Sequence, residues 1–161
     1  MRHEKVAFIG LPAVGKTSII TLLSENRTVT NYEQTIGISF GFVTLGECEV
    51  SLFDIAGQDR FRFLWNGFMR GAKVIFVVTD STPVNVLNTR KIIEEFCNKP
   101  NTIVLAIANK QDLPGAMKPS QVEDLLNVKT YGMVAIDPRK RTKMCHILRE
   151  ALEQIIIERS N

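Results

Sequence analysis

A loop at residues 10–17 that contains two glycines constrains the fold of this chain more than any other segment. It reads Gly-Leu-Pro-Ala-Val-Gly-Lys-Thr, follows an apolar run at residues 6–9, and precedes a helical pattern. Glycine lets the backbone curl, so that successive N–H groups and the positive end of the helix point inward. The pattern therefore predicts a site for the phosphates of a nucleotide.

The side chains at the end of the loop support this prediction. A lysine at position 16 can reach the outer phosphates, and the hydroxyl of Thr17 can bind magnesium. The residues expected to contact phosphate are Gly10, Pro12, Ala13, Val14, Gly15, Lys16, Thr17 and Ser18. Kinases, ATPases and GTPases share such a loop, so it does not identify the nucleotide by itself.

The order of apolar and helical segments predicts an α/β fold. Apolar runs at residues 6–9, 74–78 and 103–108 are each followed by a turn and a helical pattern. Such alternation is typical of parallel strands that are buried on both faces. Residues 38–45 and 48–53, separated by Gly46-Glu47, predict a hairpin that places one antiparallel strand at the edge of the sheet.

Composition indicates one domain over residues 1–161, with 45% hydrophobic residues. The balance of 20 Lys+Arg against 17 Asp+Glu gives a net charge of +3, which does not favour a nucleic-acid partner. Because Cys48, Cys97 and Cys145 are widely spaced, we expect buried thiols in a reducing compartment, not disulfides or metal ligands. The N-terminus leaves no room for a signal peptide, and no lipid-anchor motif is encoded, so we expect a cytoplasmic protein.

Local signals predict where three helices begin. Thr82 is expected to cap a helix with Pro83 at its first position, and Ser120 with Glu123 reads as a capping box. The basic run at residues 139–143 is expected to open the last helix as a solvated turn. A contact with phosphate or with an acidic or membrane surface is the alternative for that run. The stripe expected to face the sheet comprises Met144, Ile147, Leu148, Ala151, Leu152, Ile155 and Ile156.

Three further segments decide between the nucleotide classes. Residues 54–58, Asp-Ile-Ala-Gly-Gln, follow the predicted strand 48–53, where Asp54 can hold a metal through water. Residues 109–112, Asn-Lys-Gln-Asp, follow another buried strand, and residues 35–37, Thr-Ile-Gly, precede the hairpin.

Together these segments resemble the Ras-like small GTPases, and the Arf-like branch most, over essentially the whole chain. Residues 59–62 and 70–72 are more similar to the Rab pattern, so we expect a divergent member. The resemblance implies a three-layer fold with a six-stranded, mostly parallel sheet, one antiparallel edge strand, and helices on both faces. It also implies GTP and GDP as ligands and Mg²⁺ as cofactor.

The resemblance implies roles for particular residues. Further phosphate contacts would come from Thr35 and Gly57, and contacts to guanine from Asn109, Lys110, Asp112, Ala135 and Ile136. The magnesium ligands would be Thr17, Thr35 and, through water, Asp54. Gln58 would orient the attacking water, and hydrolysis would be slow because no arginine is clearly placed to assist it.

Two departures from the family pattern affect these expectations. Pro12 removes a backbone N–H beside the γ-phosphate and stiffens the loop where a partner's arginine would pass. Residues 135–138 replace the usual base loop, so we expect weaker binding of guanine than in a typical member.

The functional prediction is a GTP/GDP switch whose two switch regions bind effector, exchange and activating proteins. A GTP-binding interaction subunit with little turnover is the alternative, and a kinase is disfavoured by the Asn-Lys-Gln-Asp segment. A mostly aromatic cluster near the second switch comprises Phe61, Phe63, Leu64, Trp65 and Phe68. We expect some of these side chains to pack in the core and the others to form a surface for a partner.

Overall fold

The computed structural model describes residues 1–24 and 37–160, the last two by their backbone alone. Within these ranges one sheet contains six strands in the order β2-β3-β1-β4-β5-β6. They are β1 (Arg2–Ile9), β2 (Ile38–Leu45), β3 (Cys48–Ile55), β4 (Val74–Thr79), β5 (Ile103–Ala108) and β6 (Thr130–Gly132). The pair β2-β3 is antiparallel and the other pairs are parallel.

Helices cover both faces of this sheet. They are α1 (Lys16–Leu23), α2 (Arg62–Met69), α3 (Pro83–Phe96), α4 (Pro119–Leu126) and α5 (Arg141–Ser160), with 3₁₀ turns at Asp59–Phe61 and Pro138–Lys140. Alternate residues of β1 explain the two-sided core: Val6 and Phe8 pack with α1 and α5, whereas Ala7 and Ile9 pack with α2 and α3. The predicted α/β class, the mostly parallel six-stranded sheet and the two helical layers are confirmed.

The hairpin forms as predicted, but its second strand is longer than expected. Gly46 adopts φ 61° in the turn, which favours glycine, and Leu45 pairs with Cys48 across it. Strand β3 continues to Ile55, because Asp54 pairs with Ser39 of β2 and Phe8 of β1. The prediction that Asp54 follows the strand is therefore wrong: Asp54 lies inside its carboxyl end and is buried.

Helix α3 begins at Pro83 as predicted, but its cap differs. Thr82 occupies the capping position without a side-chain hydrogen bond to the helix. Its hydroxyl donates instead to Asp80 Oδ1 at 2.7 Å, and its N–H donates to the same atom at 2.9 Å. The fixed φ of Pro83 and this aspartate turn define the start of the helix.

The capping box predicted from Ser120 and Glu123 is wrong. Helix α4 begins earlier, at Pro119, and the side-chain oxygen of Gln121 accepts from the N–H of Lys118 at 3.0 Å. Glu123 instead accepts from the N–H of Thr130 at 2.8 Å and fixes the start of β6. The sequence pattern did not reveal this longer-range partner for the carboxylate.

The basic run at residues 139–143 is divided between two elements: Arg139 and Lys140 lie in the 3₁₀ turn at Pro138–Lys140, and residues 141–143 open α5 as predicted. Asp137 caps that turn, and its hydrogen bonds with Arg139 hold the pKa of its carboxyl below the usual range. The ammonium of Lys143 donates to the carbonyl of Gly132 at 2.6 Å. Much of the run therefore serves local structure, in agreement with the prediction of a basic turn.

The predicted stripe of α5 is buried except for Ile156, which is 40% exposed. In the part of the chain that the structure describes, no helix has the length and hydropathy needed to cross a membrane.

All three cysteines are free thiols, with Cys48 and Cys97 buried and Cys145 half-buried. Burial raises the pKa of the Cys97 thiol to about 12, so it stays protonated near neutral pH. Because the thiolate is the reactive form, Cys97 behaves as an apolar core residue.

Candidate functional site

The loop at residues 10–17 joins β1 to α1 at the carboxyl end of the sheet. Gly15 adopts φ 102°, and a Cβ atom there would stand 2.2 Å from the side-chain nitrogen of Asn109. Ala13 also adopts a left-handed conformation, with φ 62°. Glycine adopts a positive φ without strain, whereas Ala13 is strained and persists there because the surrounding structure holds it.

Lys16 is a buried cation at the centre of the loop. Its Nζ donates to the carbonyl oxygens of Gly10 at 3.1 Å and Leu11 at 2.8 Å. Burial lowers the pKa of Lys16 to about 8, and the nearby charge of Asp54 opposes that shift. Because a buried charge is costly unless paired, this ammonium group is suited to receive an anion.

A cavity of about 110 Å³ separates the loop from the end of β3 and the segment after it. It is lined by Pro12, Ala13, Lys16, Thr17, Asp54, Ala56, Gly57 and Gln58. The structure thus brings together residues from two of the predicted segments around one small, polar space. Its size suits a single phosphate group and not a whole nucleotide.

Oxygen atoms converge on one side of this cavity. The hydroxyl of Thr17 donates to Asp54 Oδ2 at 2.5 Å, and the buried hydroxyl of Ser39 donates to the same atom at 3.2 Å. Hydroxyl and carboxylate oxygens are the ligands that Mg²⁺ prefers, so these residues fit the implied ion. Ser39 was not selected from the sequence, although a polar residue at a buried position of an apolar strand was the available signal.

The segment at residues 109–112 is bonded to the loop. The amide nitrogen of Asn109 donates to the carbonyl of Val14 at 2.9 Å, and its oxygen accepts from the N–H of Ala135 at 3.0 Å. Lys110 Nζ donates to the carbonyl of Ala13 at 2.7 Å. The predicted phosphate and base segments therefore form one hydrogen-bonded unit.

The side chains expected beside the base differ in exposure. Asp112 and Ile136 are exposed, whereas Ala135 is buried and its N–H is already directed to Asn109. Ala135 and Ile136, but not Asp112, line a cavity of about 500 Å³; its other lining residues are Thr17, Ser18, Thr21, Leu22, Pro138 and Arg141. A slightly larger cavity, about 530 Å³, lies at the opposite end of the sheet and contains none of the predicted site residues.

The model of the ADP-ribosylation factor (Arf) family matches residues 1–158. The chain belongs to the ADP-ribosylation factor family. It is therefore a small GTP-binding GTPase of the Ras-like superfamily, as its motifs predicted. Members of this family generally use Mg²⁺ with GTP or GDP and work with regulators and effectors.

The family pattern implicates Thr35 and Gln58 in switching, and the structure describes only Gln58. Thr35 lies outside the described residues. Gln58 lines the small cavity of this Arf-family protein, and its side-chain oxygen is buried with no donor among the described residues. The segment before it is anchored by Trp65, whose indole N–H donates to the carbonyl of Ala56 at 3.0 Å.

The aromatic cluster after Gln58 is divided between core and surface, as predicted. Phe61 and Trp65 are buried, Leu64 and Phe68 are half-buried, and Phe63 is 80% exposed. Phe63 is thus the aromatic side chain of this cluster that a partner could reach.

The nearby arginines are directed elsewhere. Arg62 forms an ion pair with Asp59 at 3.1 Å, and the guanidinium of Arg60 lies over the Phe61 ring. Arg60 is exposed, as predicted, whereas the Arg62 side chain is 30% exposed and its guanidinium lies near the Trp65 ring.

Replacing Gly57 by alanine is expected to weaken GTP binding about tenfold more than GDP binding, a change of roughly 1.4 kcal/mol. An added Cβ would stand 2.3 Å from the carbonyl oxygen of Gly10 and 2.7 Å from the nitrogen of Pro12. The segment carrying Gln58 would move off the loop and away from the γ-phosphate. Titrations of the wild type and of Gly57→Ala with GTP and with GDP measure the two affinities.

The matched control is Gly67→Ala in α2, where an added Cβ meets nothing within 4 Å. That change should stabilise the helix by up to about 1 kcal/mol and leave the GTP-to-GDP affinity ratio unchanged. Equal affinity ratios in the two variants would show that contact between Gly57 and the loop is unimportant for GTP.

Proposed function

We propose that this Arf-family protein is a GTP/GDP switch that hydrolyses GTP slowly, with Gln58 orienting the attacking water. The observation that carries the proposal is the buried, unpartnered side-chain oxygen of Gln58 among the described residues. A buried acceptor without a donor is costly, and a water held in the adjacent cavity would satisfy it. The amide can accept from that water and donate to a phosphate oxygen, whereas it is too weak a base to remove a proton.

The loop at residues 10–17 would hold the phosphates, with the N–H groups and Lys16 as donors. Thr17 would bind Mg²⁺ directly and Asp54 through water; Thr35, outside the described residues, would complete the set. The ion supplies positive charge at the β- and γ-phosphate oxygens. Ser39 would keep the Asp54 carboxylate oriented, since its hydroxyl donates to the same oxygen as Thr17.

Recognition of guanine would rest on Asp112. Its exposed carboxylate can accept from the N1–H and the exocyclic amine of guanine, a donor pair that adenine does not offer. Asn109 and Lys110 would act mainly by joining this segment to the loop, since their side chains donate to Val14 and Ala13. Ala135 would support Asn109, and Ile136 would contribute its backbone N–H and cover the base.

The switching itself would involve the two segments that meet the γ-phosphate, around Thr35 and at Gly57-Gln58. We propose that effectors, exchange factors and an activating protein bind there, with exposed Phe63 in the contact surface. Because Arg60 and Arg62 are directed to other partners, the arginine that accelerates hydrolysis would come from the activating protein. Intrinsic turnover is then expected on the order of 10⁻⁴ to 10⁻² per second.

Single-turnover hydrolysis of GTP by the wild type and by Gln58→Leu tests the proposal. Loss of one positioned hydrogen bond of about 1.5 kcal/mol should slow hydrolysis roughly tenfold, with little change in affinity for GDP. Gln154→Leu is the matched control, because this glutamine lies exposed on α5 and bonds only locally to Glu158. ATP in place of GTP should neither bind comparably nor be hydrolysed.

The second candidate is a GTP-binding interaction subunit with little turnover, favoured by one observation. Pro12 lines the small cavity beside Gln58, where it offers no N–H to phosphate and narrows the approach of an incoming arginine. If the wild type binds GTP without hydrolysing it, and Gln58→Leu behaves identically, this second function replaces the switch.

A further inference from the structure

A buried serine outside the recognised motifs is bonded to the segment at residues 109–112. Ser81 lies in the turn between β4 and α3 and is 0% exposed. Its hydroxyl donates to the carbonyl oxygen of Asn109 at 2.6 Å and accepts from Nε2 of Gln111 at 2.9 Å. One buried hydroxyl group thus bonds to two residues of the segment at 109–112, hereafter the guanine segment.

The backbone at Ser81 shows that this side chain is retained at a cost. Its φ of 68° lies in the left-handed region, where glycine would be relaxed and serine is strained. Hydrogen bonds keep it there: the N–H of Ser81 donates to Thr79 Oγ1 at 3.3 Å, and its carbonyl accepts from the N–H of Met117 at 2.9 Å. A glycine would satisfy this backbone but would lack the hydroxyl that reaches Asn109.

Gln111 links Ser81 to the loop before α4. Its Nε2 also donates to the carbonyl of Met117 at 2.9 Å, so the side chain points into the protein. The N–H of Gln111 donates to the carbonyl of Met133 at 3.1 Å, which also fixes its backbone. The Gln111 side chain is held inside the protein, whereas the next residue, Asp112, is exposed.

We propose that Ser81 and Gln111 are positioning residues for guanine recognition. They hold the backbone on both sides of Lys110, so that the Asp112 carboxylate is presented at one fixed place. This inference rests on the proposed role of Asp112 as the guanine acceptor. Two hydrogen bonds to a purine edge require placement within about 0.5 Å, and a solvent-exposed carboxylate depends on its backbone for that placement.

The test compares the affinities for GDP and IDP, since inosine lacks only the exocyclic amine that Asp112 would accept from. In the wild type, one hydrogen bond to a charged acceptor should favour GDP by roughly tenfold or more. We expect Ser81→Ala, Ser81→Gly and Gln111→Met each to reduce this preference severalfold, because Asp112 is no longer fixed. Ser81→Gly relieves the left-handed strain, so it provides a variant in which folding is least affected.

The matched control is Ser24→Ala. Ser24 is buried at the end of α1, and its hydroxyl donates to the carbonyl of Ile20 at 2.7 Å, without contact to Ser81 or the guanine segment. It should lower the melting temperature and leave the GDP-to-IDP ratio unchanged.

Two results would overturn the inference in distinguishable ways. Variants of Ser81 and Gln111 that melt lower but keep the wild-type ratio have lost only a structural contact. A wild type that binds GDP and IDP equally would remove the assigned role of Asp112, and the positioning role with it.

Discussion

Replacing Lys16 by methionine is expected to weaken the binding of both GTP and GDP by about 10²- to 10³-fold. The lysine is buried beside the small cavity, and its Nζ is shared between two backbone carbonyls of the loop. Phosphate oxygens would offer this cation a charged partner in place of those neutral oxygens. Methionine retains the length of the side chain and removes that donor and its charge.

In the nucleotide-free protein, the same substitution is not expected to lower stability. Burial lowers the pKa of Lys16 to about 8, so keeping this group charged opposes folding when no anion is present. The nucleotide-free Lys16→Met variant should therefore melt no lower than the nucleotide-free wild type. Addition of GDP at about 100 times its Kd should stabilise only the wild type, by roughly 2.7 kcal/mol.

Lys5→Met is the control for this experiment. Lys5 is half-buried, and like Lys16 its Nζ donates to a backbone carbonyl, that of Arg70 at 2.8 Å. It lies in β1 away from the loop and should not alter nucleotide binding. Similar loss of GDP affinity in both variants would indicate a general effect of removing a buried lysine.

Replacing Asp112 by asparagine should reduce the affinity for GDP by about 10²-fold and raise the affinity for XDP. Two guanine N–H groups would face the carboxylate, which only accepts. An asparagine amide accepts from one group and presents its own N–H to the other. Xanthine carries a carbonyl where guanine carries the amine, so it can accept from that N–H.

Competition between GDP and XDP measures this change of specificity directly. Asp124→Asn is the matched control, because Asp124 is an exposed carboxylate on α4. An unchanged GDP-to-XDP ratio in Asp112→Asn would assign guanine recognition to another group.

Much of the local structure could be predicted because it depends on neighbours in the sequence. The β1 strand reads as a continuous apolar run since Val6 and Ala7 face different helical layers, which is the behaviour of a strand buried on both sides. The hairpin turn at Gly46 and the start of α3 at Pro83 follow from the backbone preferences of single residues.

The errors occurred where a side chain had a distant partner. Glu123 looked like part of a capping box, yet it accepts from the N–H of Thr130 in the next element. Strand β3 extends over Asp54 because β1 and β2 pair with it on both sides. Neither partner can be identified from the residues around the carboxylate.

The sequence by itself determined the chemistry of this protein: a phosphate loop between a strand and a helix, and the acidic and amide groups of the later segments. Only the tertiary structure decided how those groups meet. Asn109 bonds to Val14 across 95 residues, Lys110 to Ala13 across 97, and Thr17 to Asp54 across 37. These pairs depend on the strand order, which places β3 directly beside β1 and places β5, the strand before Asn109, two positions from β1 on its other side. That order is set by packing of the whole sheet, and local preference carries no information about it.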